Sequence, residues 1–185
     1  MFGEHIECRT WHVPVEHLVF QRIARILLFA GFTAVGAQLA VRLPFTPVPL
    51  TIQTLFVVMA GITLGPRDGF YAMASYIGLG LLGAPVFAGF TFGPAVLVGP
   101  TGGYLIAFPA AALVAGSLSR NLGGGRFALF CSALAGSTLI LVSGTLYLSL
   151  ITRMPLAGAA IIGALPFAAG EVIKATVAAG IASRR

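Results

Sequence analysis

Residues 23–41 read IARILLFAGFTAVGAQLAV, a predominantly apolar run. An α-helix needs about 20 such residues to cross the hydrocarbon core of a bilayer, so this stretch is predicted to be the first membrane-spanning helix. It stops before LPFTPVPLT, where three prolines (Pro44, Pro47 and Pro49) lack an N–H and restrict the backbone. Residues 43–51 are therefore predicted to form an extended loop.

The composition of the whole chain agrees with a membrane location. Of the 185 residues, 58% are hydrophobic and only 9% are charged, whereas soluble domains have about 45–50% apolar and about 25% charged residues. The net charge of +6 could indicate nucleic-acid binding, but the arginines are scattered between apolar runs rather than clustered on one patch. The sequence thus predicts an all-α integral membrane protein in contact with lipid, with no nucleic-acid partner.

Further apolar runs extend the pattern to six spans. The predicted spans are residues 23–41, 50–66, 69–83, 104–119, 127–151 and 166–182, and residues 1–22 are predicted to be a cytoplasmic tail. The second and third spans are short, which local thinning of the bilayer tolerates at a cost of about a fraction of a kcal/mol per Å. The segment TRMPLAGAAIIGALP separates the fifth span from the last one. Its final proline, Pro166, suits the first turn of a helix, so the last helix is predicted to start there.

A long segment between the third and fourth spans contains many helix-breaking residues. Residues 83–103 read GAPVFAGFTFGPAVLVGPTGG, with three prolines among six glycines, which predicts an ordered, non-helical loop. Such backbone is tolerated at membrane depth only where protein buries it or where it lines a cavity. The segment is therefore a candidate binding element.

The arginines orient the predicted helices. With both termini cytoplasmic, the positive-inside rule is satisfied, because eight arginines face inside (Arg9, Arg22, Arg25, Arg67, Arg120, Arg126, Arg184, Arg185) and two face outside (Arg42, Arg153). An odd number of helices would break this pattern, so six is the favoured number. The first turns of the last helix then lie in the outer part of the membrane.

Two opposite charges occur in that last helix, within GEVIKATVAAG at residues 170–180. Glu171 and Lys174 are three residues apart and therefore neighbours on one helical face. A charge at the centre of a membrane helix costs about 2.5–3.5 kcal/mol, so an unpaired arrangement is disfavoured. Two interpretations stay open: a salt bridge that only holds the helix in the bundle, or a binding site that offers one anionic acceptor and one cationic donor.

Enzymatic chemistry is not expected. GPTGGY is glycine-rich, but a P-loop needs GxxxxGK[ST], and the only lysine of the chain, Lys174, follows Ile173. No acid, base and nucleophile converge in one predicted region. The N-terminal tail holds all the histidines and one cysteine (His5, His12, His17, Cys8), but their spacing defines no metal site, and a plain cytoplasmic or interfacial tail is favoured. We expect no cofactor and no metal.

Small residues recur at helical spacing in the first predicted helix. Ala30, Ala34 and Ala37 would let another helix approach closely. The spacing alone leaves open whether that helix belongs to this chain or to a partner.

Three long motifs carry a family resemblance. PVPLTIQTLFVVMAGITLGPRDG, YIGLGLLGAPVFAG and GPTGGYLIAF closely resemble the BioY family, the biotin-specific substrate-binding (S) components of energy-coupling-factor (ECF) transporters, and the similarity covers about residues 23–183. The resemblance implies a six-helix S-component fold, capture of biotin from the outer side of a bacterial plasma membrane, and partnership with a transmembrane coupling (T) protein and two ABC-type ATPases that hydrolyse ATP.

The resemblance also implies a binding site. The family motif has PF followed by Asp and, three residues on, Lys; here PFAAGEVIK matches at Lys174, with Glu171 in place of the usual Asp. The expected biotin-binding residues are Glu171, Lys174, Tyr104, Thr101, Gly102, Phe87, Phe92, Gln53 and Thr51, beneath the loops 43–51 and 83–103. Ala30 and Ala34 are the expected interface with the coupling protein. Competing hypotheses are an autonomous small carrier or channel, and a structural membrane subunit in which Glu171 and Lys174 form only a salt bridge.

Overall fold

The computed structural model of the chain describes residues 15–184, most of which are helical. In order, the elements are α1 (Val15–Gln38), β1 (Ala40–Val41), β2 (Leu50–Thr51), α2 (Gln53–Leu64), α3 (Pro66–Leu81), α4 (Ala95–Val98), α5 (Gly102–Asn121), α6 (Arg126–Thr152), α7 (Leu156–Gly163) and α8 (Leu165–Ala182). The predicted all-α class is confirmed. The N-terminal tail residues that were weighed as metal ligands lie mostly outside the described range, namely His5, Cys8 and His12.

Within residues 15–184, four helices are long and apolar enough to cross a membrane, namely most of α1, and α5, α6 and α8. Helix α2 is apolar but has only 12 residues, and α3 has 16. The two short helices follow each other with Gly65 between them, and that glycine has φ of +88°. This left-handed conformation is one that glycine adopts without steric cost, so the chain can reverse there in a single residue.

The first helix differs from its prediction at both ends. It starts at Val15, inside the predicted tail, because apolar side chains and a helix-compatible sequence continue upstream of residue 23, and because Arg22 is bound to Asp68 of α3. It ends at Gln38 rather than at residue 41. The chain leaves the helix there because Ala40 and Val41 pair with Thr51 and Leu50 in a short antiparallel hairpin. The predicted extended loop is the connection of that hairpin.

Two short helices were not predicted. The segment 83–103 contains the four-residue helix α4, so the prediction of a non-helical loop was wrong at that place. The segment 152–166, for which no helix was predicted, contains α7. Each helix follows a proline, Pro94 or Pro155. Proline fixes φ near the helical value and therefore suits a helix start, even in a segment that reads as broken overall.

Helix α5 occupies the centre of the bundle and packs against α2, α3 and α6. Its crossing with α2 is very close: a Cβ atom added to Gly61 would lie 2.1 Å from the carbonyl oxygen of Ala112. Small residues permit such backbone approach between membrane helices. The apolar core continues to α1, where Ala30 and Ala37 are buried. At the end of the bundle that carries the β1–β2 hairpin, the helices leave a cavity.

Candidate ligand-binding site

A cavity of about 530 Å³ lies beneath the two loops that were predicted to cover a ligand. Its walls come from the β1–β2 hairpin, the first turn of α2, the N-terminal half of α5, the middle of α6 and the first turns of α8. Residues 83–94, called here the cap loop, form one side of its mouth through Phe87, Ala88, Gly89, Phe90 and Thr91. The volume lies within the range of about 300–1,000 Å³ that small-molecule sites usually have.

The polar end of the cavity is built around the ion pair of α8. Lys174 Nζ lies 2.5 Å from Glu171 Oε1, and the two side chains are 14% and 4% exposed. Glu171 is held on the inward face of α8 because Phe167 and Ala175, one turn before and one turn after it, are buried as well. Two opposite charges in this enclosed place neutralise each other, which makes their burial tolerable.

Thr54, in the first turn of α2, joins both charges. Its hydroxyl donates to Glu171 Oε1 at 2.8 Å and accepts from Lys174 Nζ at 2.7 Å. Lys174 Nζ donates further to the backbone carbonyl of Thr51 at 2.9 Å. An ammonium group has three N–H donors. All three are therefore used within the protein, by Glu171, Thr54 and Thr51.

The other carboxylate oxygen of Glu171 is different. Oε2 is buried and has no hydrogen-bond partner among the described residues, although Glu171 is only 3% exposed. A buried, unpaired carboxylate oxygen costs free energy, and most buried polar groups in native proteins are paired. Glu171 lines the cavity, so a molecule bound there would lie next to this carboxylate.

Apolar and aromatic side chains form most of the remaining wall. Phe87 is 1% exposed and packs edge-on against Tyr76 of α3, with ring centroids 5.6 Å apart. Tyr104 of α5 lines the cavity and donates its hydroxyl to the carbonyl of Gly163 at 2.7 Å. Phe108 and Phe167 are buried and line the same space. The cavity thus combines one small polar end with an apolar body.

A buried chain of hydrogen bonds connects the polar end to the cap loop. Thr51 donates its hydroxyl to Gln53 Oε1 at 3.1 Å, and Gln53 Nε2 donates to the hydroxyl of Tyr76 at 2.6 Å. The Tyr76 hydroxyl in turn donates to the carbonyl of Val86 at 3.1 Å. Gln53 and Tyr76 are 5% and 0% exposed. The base of the cap loop is therefore fixed from inside the core.

Most residues of the expected site come together in this cavity. Those that line it are Thr51, Gln53, Phe87, Thr101, Tyr104, Glu171 and Lys174. Gly102 and Phe92 do not line it. Gly102 lies against α4, where an added Cβ would be 1.8 Å from the carbonyl oxygen of Leu97, and Phe92 points outward with 58% of its surface exposed.

The two alanines of the expected partner interface pack inside the chain. Ala30 is 2% exposed and belongs to the apolar core, and Ala34 is half-buried against the same core. The small residue Ala30 therefore packs against other helices of this chain, and it has no exposed surface left for a partner. The exposed face of α1 is formed instead by large residues, among them Leu27, Leu28 and Val35.

Five polar residues that line the cavity were not among the expected site residues: Gln38, Arg42, Thr46, Thr54 and Thr91. Thr54 lies one helical turn after Thr51, a spacing that could have indicated a shared face. Gln38 and Arg42 lie where α1 gives way to the β1–β2 hairpin, a connection that the proline-rich sequence did not reveal. Within residues 15–184, no group of three or more His, Cys, Asp or Glu side chains could hold a metal ion.

Comparisons with known proteins agree with one another. The family model described as "BioY family" matches residues 10–185. A probable biotin transporter BioY from Pyrococcus horikoshii is 42% identical over 89% of this chain and 95% of its own length. A biotin transporter BioY from Thermotoga maritima is 39% identical over 85% and 90%. A crystal structure described as the S-component for biotin from an ECF-type ABC transporter superposes with a TM-score of 0.84 at 28% identity, covering 91% of this chain and 92% of that one.

Proposed function

The chain belongs to the BioY family, and from that premise we propose that it binds biotin in the cavity under the cap loop and takes it up as the S component of an ECF transporter. It is a multi-pass membrane protein of a transporter family and not an enzyme. The observation that carries the binding proposal is the buried Glu171 Oε2, an acceptor without a partner among the described residues, in a side chain that lines a cavity of suitable size.

The hydrogen bonds of the polar end favour one orientation of biotin. Lys174 uses its three donors within the protein, so it has none left for the valerate carboxylate. Glu171 Oε2 can only accept, and the ureido ring of biotin carries the N–H donors. We therefore assign the ureido ring to the deep end, where a charge-assisted N–H···O bond to Glu171 is stronger than a neutral one.

Arg42 suits the other end of the ligand. It lines the mouth of the cavity, and one of its terminal nitrogens lies beside Gly89 of the cap loop, 2.8 Å from where a Cβ of that residue would be. Of the cavity-lining residues, only Arg42 and Lys174 are cationic. Lys174 is neutralised by Glu171, so Arg42 is the group that can balance the valerate carboxylate near the surface, with bidentate geometry available to its guanidinium.

The apolar body of the cavity suits the rest of biotin. Phe87 and Tyr104 would pack on the fused rings, and Gln53, Thr51 and Thr101 would contribute through the polar network and the wall. Gly102 would act indirectly, by letting the chain turn into α5 beneath Leu97, and Phe92 would cover the ligand only if the cap loop moved. The site as a whole follows the usual pattern of a mostly apolar pocket with a few polar contacts.

In the membrane, α1, α2, α3, α5, α6 and α8 would be the six spans, with both termini cytoplasmic. The charged residues at the two ends of the bundle support this arrangement. Arg22 is bound to Asp68, and Arg120 lies against Gly65, so these charges gather at the α2–α3 turn. The cavity lies at the opposite end of the bundle, where Arg42 is found. Such a distribution fits the positive-inside rule with the cavity open to the outside.

Transport would need partners, because the sequence has no nucleotide-binding motif. Following the resemblance to S components, a transmembrane coupling protein and two ABC ATPases would supply the energy. The large apolar residues on the exposed face of α1, including Leu27, Leu28 and Val35, are available to lipid or to the coupling protein. Copurification with the coupling protein, tested with Val35→Asp against wild type, would measure this contact.

Calorimetric titration of the detergent-purified chain with biotin tests the binding proposal. We expect saturable binding with one biotin per chain, and weaker binding of biotin methyl ester because it lacks the carboxylate that Arg42 would hold. Absence of heat or of thermal stabilisation with biotin up to saturation would overturn the proposal. It would favour the alternative in which Glu171 and Lys174 form only a salt bridge.

A further inference from the structure

The tip of the cap loop is a tight reversal with unusual backbone. Phe87 and Thr91 face each other as an isolated antiparallel bridge, with the amide of Phe87 donating to the carbonyl of Thr91 at 3.1 Å. Between them, Gly89 has φ of +72° and Phe90 has φ of +59°. Non-glycine residues seldom adopt such positive values, so the conformation of Phe90 needs support from a contact outside the loop.

Gln38 supplies that contact. Its Nε2 donates to the carbonyl of Phe87 at 3.1 Å, and its Oε1 accepts from the amide of Phe90 at 3.0 Å. One backbone acceptor and one backbone donor fix which way the side-chain amide points. The Gln38 side chain therefore hydrogen-bonds to the backbone at two points of the reversal, as a neighbouring strand would do in a sheet.

The location of Gln38 connects this contact with the cavity. Gln38 is the last residue of α1, and it is half-buried and lines the cavity. Phe87 is buried in the wall, whereas Phe90 is 68% exposed, so the reversal spans from the interior to the surface. No other described side chain bonds to the backbone between Phe87 and Phe90 from outside the loop.

The base of the loop is fixed separately. Tyr76 donates to the carbonyl of Val86, and Tyr76 is itself held by Gln53 inside the core. Removing the Gln38 contact would therefore free the tip while the base stays attached. A loop released at its tip alone opens and closes a cavity mouth without unfolding the helices below it.

We propose that Gln38 is a positioning residue that holds the tip of the cap loop over the cavity mouth and thereby sets how fast the ligand enters and leaves. The inference rests on the proposed function, since biotin is the ligand used to test it. Both polar atoms of the Gln38 amide are bonded to the loop, so its loss should change both rate constants in the same direction and leave their ratio nearly unchanged.

The test compares Gln38→Met with wild type in the full chain. Methionine keeps the length and helix compatibility of the side chain but makes neither hydrogen bond. Rates are measured by mixing with fluorescent biotin and by chasing bound biotin with excess unlabelled ligand. We expect association and dissociation to accelerate by roughly tenfold each, the change that corresponds to losing one to two net hydrogen bonds, with Kd changed less than about threefold.

Gln21→Met is the matched control, because Gln21 lies in the same helix, is exposed, and makes no side-chain hydrogen bond within residues 15–184. Its rates should equal those of wild type, and the ligand-free melting temperatures of all three proteins should agree. Wild-type rates in Gln38→Met would overturn the inference while the binding proposal stands. Failure of the wild type to bind biotin would instead contradict the proposed function.

Hydrogen exchange of the wild-type protein tests the inference without relying on a variant. The amide of Phe90 should exchange slowly although the residue is exposed, because it is bonded to Gln38 Oε1. Fast exchange of that amide would overturn the inference, even if Gln38→Met failed to fold. Slow exchange that becomes fast in Gln38→Met would support it.

Discussion

Two ion pairs in this chain have nearly the same length and very different surroundings. Lys174 and Glu171 are 2.5 Å apart with side chains 14% and 4% exposed, whereas Arg22 and Asp68 are 2.6 Å apart with side chains 52% and 24% exposed. Distance therefore does not separate a binding pair from a structural one. The difference lies in burial and in which hydrogen-bonding groups are left unused.

The exposed pair satisfies its own hydrogen bonds. Arg22 Nε contacts both carboxylate oxygens of Asp68 at 3.0 and 3.1 Å, and Nη2 contacts Oδ1 at 2.6 Å. It joins α1 to the first turn of α3, where the negative charge of Asp68 also suits the helix dipole. Its carboxylate has no unpaired oxygen to offer to a ligand, so its role is structural.

The buried pair leaves one acceptor unused. Glu171 Oε1 receives bonds from Lys174 and Thr54, but Oε2 has no partner among the described residues. In a purely structural pair, such an unpaired buried oxygen would lower the stability of the folded protein, and no other interaction would offset the loss. Because Glu171 lines the cavity, the proposed ligand, which carries N–H donors, would supply the missing hydrogen bond.

Among the substitutions that test the difference between the two ion pairs, Lys174→Met should have the largest effect on stability and biotin affinity. Glu171 would be left buried without its partner, which costs about 3–5 kcal/mol of stability in comparable cases. We expect a clear fall in the ligand-free melting temperature and a biotin affinity reduced by more than roughly 100-fold, measured by thermal unfolding and calorimetry. An unchanged affinity would contradict the assignment of this pair to the binding site.

Thr54→Val should have an intermediate effect. The substitution keeps the shape of the side chain but removes the hydroxyl that joins Glu171 to Lys174. Loss of a buried hydrogen-bond partner costs about 1–3 kcal/mol, so biotin affinity should fall by roughly tenfold in calorimetry. Thr63→Val is the matched control, since Thr63 lies in the same helix with its hydroxyl on the backbone carbonyl of Met59. Equal affinities for the two variants would argue against a role of Thr54.

Asp68→Asn should have the smallest effect. Exposed ion pairs contribute about 0–1 kcal/mol, so the melting temperature should change little and biotin affinity should not change. The double variant with Arg22→Gln should be no less stable than Asp68→Asn alone. A large loss of biotin binding in Asp68→Asn would mean that the α1–α3 contact is coupled to the cavity and is not only structural.

Much of the fold was predictable from local sequence. Long apolar runs indicated the helices, prolines and glycines indicated the two loops, and the family resemblance carried by the motifs is confirmed by the comparisons. The helix α7 was missed because Pro155 and several glycines resemble a broken segment, although proline also suits a helix start. The hairpin that ends α1 was missed because pairing between Val41 and Leu50 is a contact across a proline-rich connection.

The candidate site was predictable only in part, for a related reason. The neighbours Glu171 and Lys174 follow from helical periodicity, since three residues bring them onto one face. The contact of Thr54 with both charges spans more than 100 residues along the chain and depends on how α2 packs against α8. Similarly, Ala30 looked suited to a partner by spacing, but only the packing of α1 against the bundle decides which neighbour it faces.

Glu171→Gln tests most directly whether the unpaired carboxylate oxygen is the ligand acceptor. Glutamine keeps the size of the side chain, and its amide oxygen can still accept from Lys174 and Thr54, so the ligand-free protein should remain folded. The group in place of Oε2 would become an N–H₂ donor, which cannot accept from the N–H donors of biotin. We expect calorimetry to give a biotin affinity lower by about 100-fold, as for the loss of a charge-assisted hydrogen bond. Biotin affinity equal to that of wild type in a folded Glu171→Gln protein would contradict this role of Glu171.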